Sequence, residues 1–364
     1  MAGGPPCVAV TLDADEWSGE DSATLAEMLA EGACRVDASN AERVAHEWLV
    51  IDPPQVFETR AGRRIGAGLV GKVEARVREL RRLDDFVGGG DLAAVVAREL
   101  SATVGLLAEA AYKEAVGRRL LVAVGELAQL AGWAYSDAGE HETAARYYLA
   151  GVRAAHAAGD FPLAGNLLSC LSYQHANTGK VREAVLMARS ASRGAERAAT
   201  ARTRALLADR VAWAHVKAGE SREAGRALGA ADDAFDCARP GDEDPDWVYW
   251  VSRDELDVMA GRCFTELHRP LRAEPLLRAV LARYDAAYVR ETALYRTWLA
   301  DTYLDAGEIE QAVRVAGEAL ELAARVNSAR GRERVAAVRE RLRPYLDVAA
   351  VRDFEERYRA ALAR

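Results

Sequence analysis

The sequence has few cysteines, and their placement excludes the two usual structural uses of this residue. An odd number of scattered cysteines without a Cys-x-x-Cys pair fits neither a disulfide framework nor a zinc site. The sequence therefore predicts no metal and no cofactor, and it favours a reducing cytoplasm. The five cysteines are Cys7, Cys34, Cys170, Cys237 and Cys263.

Proline and long apolar runs are also scarce. Aromatic residues make up only 7% of the chain, and proline is nearly absent from its centre. No stretch of about 18 uncharged apolar residues occurs, so a transmembrane span is not expected. Residues 1–7 lack the basic and apolar regions of a secretory signal. Ala and Leu dominate the apolar 50% of the sequence, which predicts an all-α fold.

Positive charge is missing from the start of the chain. Residues 1–59 carry 12 acidic and only 2 basic side chains, and the whole chain has a formal net charge of -8. Phosphate repels such a segment, so we expect no direct contact of this chain with nucleic acid. Residues 1–66 also contain no two-helix unit with a basic recognition face.

What the sequence does contain is a helical unit that recurs. Each copy has an apolar helix, a Gly or polar turn, and a second helix with Ala five residues after the turn position. Successive turns are 40, 40, 49 and 39 residues apart, and a period in this range is typical of solenoids. The turn and Ala positions are Gly139/Ala144, Gly179/Ala184, Gly219/Ala224, His268/Ala273 and Gly307/Ala312.

The first unit shows how this spacing favours close packing of two helices. Gly132 and Ala144 are small enough to let the helices approach, while Tyr135 and Tyr148 fill the space between successive units. Gly139 supplies the turn, because a positive φ is unfavourable for a residue with a Cβ atom. The last unit repeats the pattern with Ala300, Tyr303, Gly307, Ala312 and Ala316.

The pattern small-x-x-Tyr-x-x-x-Gly-x-x-x-x-Ala-x-x-x-Tyr resembles the tetratricopeptide repeat (TPR), whose consensus is shorter, about 34 residues. Residues 127–133, 146–148, 153–156 and 354–356 are similar to the sensor region of actinobacterial Xre-type transcriptional regulators, over roughly residues 42–364. The resemblance implies a right-handed TPR-like α-solenoid of about five helix pairs with extra helices at both ends. It also implies a signalling module that regulates transcription through a partner or a missing N-terminal DNA-binding domain.

The pattern divides the chain into four expected segments. They are an acidic, partly flexible N-terminal segment with short helices (1–66), N-terminal capping helices (67–118), the repeat array (119–326) and C-terminal capping helices (327–364). Residues 1–20 are expected to be mobile, and residues 60–71 to form a glycine-rich linker. Short helices are predicted at 22–30, capped by Asp21 or Ser22, and at 41–50.

An amphipathic helix is predicted from Leu69 to Phe86. Its basic face either is solvated or contacts phosphate, a membrane or an acidic partner. Residues 88–90 are expected to form a flexible glycine break, and Asp91 to cap the next helix. The basic residues are Lys72, Arg76, Arg78, Arg81 and Arg82.

The first helices of a solenoid line its concave face, at positions six and ten residues before each turn. A shared row of large rings there predicts a surface for a peptide or a small molecule, although packing against the next helix is the open alternative. Asn166, Gln129 and Gln174 could hydrogen-bond a peptide backbone. The groove positions are Trp133 and Gln129, Tyr173 and Ser169, Trp213 and Asp209, Arg262 and Val258, and Asp301 and Thr297.

The segment 239–250 accounts for the 49-residue step and is predicted to rim the binding face with an acidic loop and an aromatic cluster that includes Trp250. The aromatic cluster is expected to open a helix carrying Asp254, Glu255 and Asp257. The rings beside these carboxylates either receive a cationic group or pack in the core, and no catalytic role is expected for the carboxylates. His175 and His215 fall where other units have packed rings, so we expect them to be structural rather than metal ligands.

Three functions follow from this reading. The first is a regulatory module that senses a peptide or small-molecule signal and acts on a protein partner. The second is a stand-alone TPR scaffold or dimerising adaptor, associating through the 69–86 helix or the C-terminal helices as a homodimer. The third, an enzyme, is not expected, because the sequence supplies no nucleophile–base pair. No membrane partner is expected.

Overall fold

The computed structural model describes residues 12, 15–30, 38–56, 62–285 and 287–362. Helix accounts for 78% of the structure, which confirms the all-α class. The α-helices of this described part are α1 Gly19–Leu29, α2 Ala38–Val50, α3 Ala67–Asp84, α4 Gly89–Glu109, α5 Glu114–Asp137, α6 His141–Ala158, α7 Phe161–Asn177, α8 Val181–Ala195, α9 Ala201–Lys217, α10 Ser221–Asp236, α11 Arg253–Glu266, α12 Pro270–Leu281, α13 Val289–Asp305, α14 Ile309–Ala323, α15 Ala329–Leu342 and α16 Ala349–Leu362.

Short strand pairs hold the N-terminal segment in place. Strand β1 (Glu16–Trp17) pairs in parallel with β2 (Gln55–Val56), and β3 (Arg63–Arg64) pairs in parallel with β4 (Ala110–Ala111). In each pair the first residue of one strand lies opposite the first residue of the other. The second pair ties the segment before α3 to the end of α4.

The predicted turn positions all have a left-handed backbone. Four are glycines with φ between +76° and +88°, and the fifth, His268, has φ of +52°. His268 is the only non-glycine residue with positive φ in the described chain. Each turn joins two helices that pack together, namely α5 with α6, α7 with α8, α9 with α10, α11 with α12 and α13 with α14. The Ala five residues after each turn is fully buried.

The start of the described chain is more ordered than the composition suggests. Ser18, not Asp21 or Ser22, caps α1, because its hydroxyl accepts from the Asp21 amide while the Asp21 carboxylate accepts from the Ser18 amide. The prediction of a mobile 1–20 segment is wrong for residues 15–20, where Trp17 is buried and its indole donates to the Ser22 hydroxyl at 3.0 Å. Residues 1–11, 13 and 14 lie outside the described residues.

Helix α2 docks on the repeat helices through a tryptophan. The ring of Trp48 is buried against Gly194 of α8, where a Cβ atom would lie 2.2 Å from the ring. Trp48 also meets Phe161, with 6.3 Å between ring centroids. On α1, Asp21 accepts from Arg153 of α6 at 2.5 Å. The acidic segment is therefore joined to the helices that follow it.

Helix α3 starts earlier than predicted, and a different set of its residues faces the core. It begins at Ala67, so residues 67–71 belong to the helix rather than to the predicted linker 60–71, of which residues 60 and 61 lie outside the described residues. Leu69 and Phe86, predicted on the apolar face, are 38% and 59% exposed. Val70 is fully buried in place of Leu69, because the helix presents the Val70, Val73, Val77 and Leu80 stripe to the core.

Arg81 does not belong to the solvated basic face. It is buried and bonds to Glu126 of α5 at 2.9 Å and to Asp246. The prediction missed this, because helical spacing assigns a face but not the carboxylates that come from distant segments. The remaining basic residues of the face are exposed: Lys72, Arg76, Arg78 and Arg82.

The glycines at 88–90 form a close contact rather than a flexible break. Gly88 is the N-cap residue of α4, and Asp91 lies in the first turn instead of at the cap. A Cβ atom on Gly88 would lie 2.2 Å from the carbonyl oxygen of Asn327, and one on Gly89 would lie 2.3 Å from that of Ala134. Only glycine permits two backbones to approach so closely.

The two ends of the helical array meet. Arg290 at the start of α13 donates to Asp84 of α3 at 3.2 Å, and both side chains are buried. Asp137 at the end of α5 accepts from the Ser328 hydroxyl and from Arg330, each at 3.0 Å. Burial alone would raise the pKa of Asp137, but Arg330 and Arg290 hold it below its ordinary value. The helices thus close around a central space.

Candidate functional site

A cavity of about 650 Å³ occupies this central space. The first helix of every pair contributes to its wall, since side chains of α5, α7, α9, α11 and α13 all face it. Helices α3 and α15 and the loop before α11 complete the lining. Its volume is that of a pocket for a drug-sized ligand.

Seven of the residues predicted to line the groove or to bind a peptide meet at this cavity, although the sequence separates them by up to 133 positions. They come from α5, α7, the loop before α11 and α11 itself. These residues are Gln129, Trp133, Asn166, Tyr173, Gln174, Trp250 and Arg262.

Six of the predicted groove positions do not line the cavity, namely Ser169, Asp209, Trp213, Val258, Thr297 and Asp301. Trp213 is 3% exposed and lies behind the wall, where its indole donates to Asn177 at 3.1 Å. Asp209 is buried beside Arg210, and burial raises its pKa to about 6. Asp301 is buried under two arginines of α15 and accepts from Arg334 at 2.5 Å. Of the five positions ten residues before a turn, only Gln129 lines the cavity, whereas three of the five positions six residues before a turn do so.

The predicted aromatic row is continuous. Ring centroids of Trp133 and Tyr173 are 6.0 Å apart, and those of Tyr173 and Trp213 are 6.1 Å apart. Trp298 of α13 extends the row by an edge contact with Trp213 at 5.5 Å and lines the cavity. Sequence analysis missed Trp298, which lies nine residues before its turn rather than six. The row is both a packed layer and, through three of its four rings, a cavity wall.

Arg262 lies against this row. Its guanidinium carbon is 4.6 Å from the Trp213 ring centroid and 5.3 Å from that of Trp298. Its Nη2 donates to the Tyr173 hydroxyl at 2.7 Å. Burial alone would raise the pKa of Tyr173, but Arg262, Arg330 and Arg210 lower it to about 7. The cationic side of the cavity therefore centres on the Tyr173 oxygen.

Arg210 is a second cation of this wall, which sequence analysis missed because it lies one position after the predicted Asp209. It is only 6% exposed, and its guanidinium carbon is 4.8 Å from the Tyr173 ring centroid. The Asp209 carboxylate is 3.8 Å from Nη1, beyond hydrogen-bond distance. Arg330, also facing the cavity, lies 4.9 Å from the Trp133 ring centroid.

The cavity wall also holds a buried carboxylate on α11, the helix that carries Arg262. Both Glu255 oxygens accept hydrogen bonds, from Tyr284 at 2.7 Å and from Tyr295 at 2.6 Å. Burial raises the pKa of Glu255, although the two hydroxyls oppose it. Of the predicted carboxylate cluster, Asp254 bonds to the exposed Arg283 at 2.8 Å. Both carboxylates are thus held by their neighbours.

The irregular segment before α11 closes one side of the cavity, as the 49-residue step suggests. The cluster does not open a helix directly, because a short 3₁₀ turn at Asp246–Val248 precedes α11, which begins at Arg253. Trp247 is buried, and Trp250 is half-buried on the cavity wall. The Tyr249 hydroxyl donates to Asp85 of α3. The segment thereby bridges α3 and α11.

The amides predicted to hold a peptide backbone are partly engaged within the chain. Gln174 donates to the His141 carbonyl at 2.8 Å, and Gln129 donates to the Cys170 sulfur at 3.7 Å. The Gln174 Oε1 and His141 Nδ1 atoms are buried without a partner among the described residues. Asn166 is buried on the same wall. These atoms remain able to accept or donate a hydrogen bond toward the cavity.

The histidines predicted to be structural are buried in the helix pairs. Burial lowers the pKa of His175 to about 4, and His215 bonds to Glu220 at 2.5 Å. Within the described part of the chain, no group of three potential ligands could hold a metal ion. Cys170 and Cys263 are buried and Cys237 is exposed, whereas Cys7 and Cys34 lie outside the described residues.

No known family model matches this chain, and no curated protein is significantly similar to it. Among the described residues, none of the helices combines the length and the apolar character needed to cross a bilayer. The site is therefore interpreted from its own geometry. That geometry is a cavity whose wall carries aromatic rings, arginines and a carboxylate bound by two tyrosines.

Proposed function

We propose that this protein is a regulatory module that binds a small molecule or short peptide in its central cavity and transmits binding to a protein partner. The observation that carries the proposal is the cavity itself. It has the volume of a ligand pocket, apolar rings for contact area and many polar and charged groups that could orient a ligand.

The proposal includes the architecture of the helical array that builds the cavity. We take it to be a right-handed TPR-like α-solenoid of about five helix pairs with extra helices at both ends. Left-handed turns at all predicted positions, each followed by a fully buried Ala, support this architecture. Solenoids bind ligands on the surface that their first helices form, and these helices line the cavity here.

The contacts between the two ends suggest how binding is transmitted. A ligand that spreads or tightens the array must alter the Asp84–Arg290 and Asp137–Arg330 pairs, because these join α3 and α5 to α13 and α15. A ligand that spreads or tightens the array in this way would also move the N-terminal helices. We propose that the output is transcriptional regulation in the cytoplasm, through a partner or an N-terminal DNA-binding domain.

A scaffold or dimerising adaptor is the second candidate. It is favoured by exposed apolar side chains on α3 and just after it, where Leu69, Leu83 and Phe86 are 38%, 45% and 59% exposed. Clustered apolar exposure marks interaction surfaces in many proteins. Sedimentation of the wild type and of Phe86→Ser tests it, because a dimer formed through this surface would dissociate in the variant.

Ligand-induced stabilisation tests the main proposal. A ligand at 100 times its Kd raises the free energy of unfolding by about 2.7 kcal/mol, so a collection of metabolites and short peptides should contain compounds that raise Tm. Gln129→Trp fills the cavity and should abolish the response. Gln311→Trp, the same change on the exposed side of α14, should preserve it. If no compound of the collection raises Tm, or if the rise in Tm is the same in Gln129→Trp as in the wild type, the proposal is refuted.

A further inference from the structure

The cavity wall carries guanidinium groups whose hydrogen-bonding capacity is not used within the protein. The Nε atoms of Arg210 and Arg262 are buried without a partner among the described residues. Arg210 is only 6% exposed, and it makes no hydrogen bond to any described residue. A buried charge without hydrogen bonds is costly, so such a group is expected to have a partner in the functional state.

The acidic residues of the cavity do not serve as that partner. Asp84 bonds to Arg290, Asp85 to Tyr249 and Glu266 to Lys217. Glu255 is held by two tyrosines and Asp254 by Arg283. For Arg262, no carboxylate oxygen of the described residues lies within 4.0 Å. These five carboxylates are thus committed elsewhere, although Glu291 Oε2 lacks a partner. The acidic group nearest to Arg210 is Asp209, which lies 3.8 Å from Nη1 and makes no hydrogen bond to it.

The two arginines lie close to the same ring, that of Tyr173. Their guanidinium carbons are 4.8 Å (Arg210) and 5.6 Å (Arg262) from the Tyr173 ring centroid, so both reach the same part of the wall. Planar guanidinium forks match the oxygen pairs of carboxylates and phosphates. Around them lie the rings of Trp133, Trp250 and Trp298, which are surfaces for an apolar or aromatic body.

We propose that Arg210 and Arg262 form the recognition site for the carboxylate or phosphate group of a small aromatic molecule bound in the cavity. The inference rests on the proposed function, and it adds the chemical class of the ligand. A small molecule fits the cavity of about 650 Å³, whereas a long peptide does not. The Tyr173 hydroxyl, already bonded to Arg262, positions that guanidinium.

Three probes with one ring system test the charge requirement: 2-naphthoate, 2-naphthyl phosphate and the neutral 2-naphthamide. Titration calorimetry of the wild type should give at least one anion an affinity about 10-fold or more above that of the amide, because charge-assisted hydrogen bonds favour the ionised group. Comparing the affinities of 2-naphthoate and 2-naphthyl phosphate shows whether the site binds a carboxylate or a phosphate.

Variants then locate the site. Arg210→Met and Arg262→Met should each weaken anion binding about 10-fold or more and leave amide binding nearly unchanged. Arg283→Met is the matched control, because Arg283 lines the cavity but is exposed and paired with Asp254. Circular dichroism shows whether each variant is folded. The comparison of the three probes on the wild-type protein tests the anion preference even if a variant does not fold.

The outcomes separate this inference from the proposed function. Equal binding of the amide and the anions, or undiminished anion binding by both arginine variants, would overturn the anion site while leaving a cavity that binds ligands. If none of the three probes binds at millimolar concentration, the anion site and the ligand-binding function are both contradicted for ligands of this class.

Discussion

Arg262 and Tyr173 lie 89 positions apart in the chain, yet the guanidinium of one donates to the hydroxyl of the other at 2.7 Å on the wall of the cavity. The bond joins α7 to α11. It also places a cation next to a phenol that two further arginines approach. The ionisation of Tyr173 therefore reports on the charge of the cavity wall.

Tyr173 should ionise near neutral pH. Its folded-state pKa of about 7 lies below the ordinary value of about 10, so the folded state prefers the phenolate. The resulting stabilisation is absent below about pH 7, grows between pH 7 and 10, and is complete above. A pH titration of phenolate absorbance should show one step near neutral pH, which Tyr173→Phe removes and Arg262→Met moves to alkaline pH. If phenolate absorbance shows no step near neutral pH, the contacts of Tyr173 with the arginines of the cavity wall are contradicted.

The groups that set this ionisation come from three helices, namely Arg210 of α9, Arg262 of α11 and Arg330 of α15. A bound anion would compete with the phenolate for them. Adding 2-naphthoate to the wild type should thus raise the pH of the step, whereas 2-naphthamide should not.

Arg290→Met should strongly destabilise the protein. The substitution leaves the buried Asp84 carboxylate without its cation, and breaking a buried pair costs about 3 kcal/mol or more. Urea unfolding measures the loss of free energy of unfolding. Arg314→Met, which removes an exposed pair with Glu318, should cost less than about 1 kcal/mol. Equal effects of the two substitutions would argue against closure of the array by Arg290.

Two glycine substitutions should have opposite signs. Gly219 has φ of +77° with open space around its Cβ position, so Gly219→Ala should lower the free energy of unfolding by about 1 kcal/mol through backbone strain alone. Gly225 lies inside α10, also with open space, so Gly225→Ala should raise it by up to about 1 kcal/mol. Urea unfolding compares them, and a stabilising Gly219→Ala would contradict the left-handed turn.

Gly194→Ala should loosen the docking of α2. The added methyl group meets the Trp48 ring, and overpacking of this kind costs about 1–3 kcal/mol. Hydrogen exchange of the α2 amides should therefore accelerate. Gly229→Ala, in open space on α10, is the control and should leave this exchange unchanged. Slow exchange of α2 in both variants would show that α2 does not pack on α8 in this way.

The local features of the fold were predictable from the sequence. A left-handed turn needs glycine or a tolerant residue, and a close helix contact needs Ala, so Gly139, Gly179 and His268 identify their turns by residue type and spacing. Tyr173 and Arg262 were assigned to the site by their distance from those turns. Such rules work because they depend on a few neighbouring residues.

The closure of the array was not predictable in this way. Pairs such as Asp84 with Arg290 join segments 206 residues apart, and no periodicity in the sequence indicates which carboxylate meets which arginine. The same reason explains why Arg81 was placed on a solvated face and why Arg210 and Trp298 were missed. On α9 the cavity is lined by Arg210 rather than Asp209, and on α13 by Trp298 rather than Asp301.

A crystal structure of the protein with 2-naphthoate is the decisive measurement for anion recognition in the central cavity. We expect the carboxylate to lie within hydrogen-bond distance of Arg210 and Arg262, with the naphthyl rings against Trp133, Trp250 or Trp298. If 2-naphthoate binds at the outer surface, or inside the cavity with its carboxylate turned away from both arginines, Arg210 and Arg262 do not form the anion site.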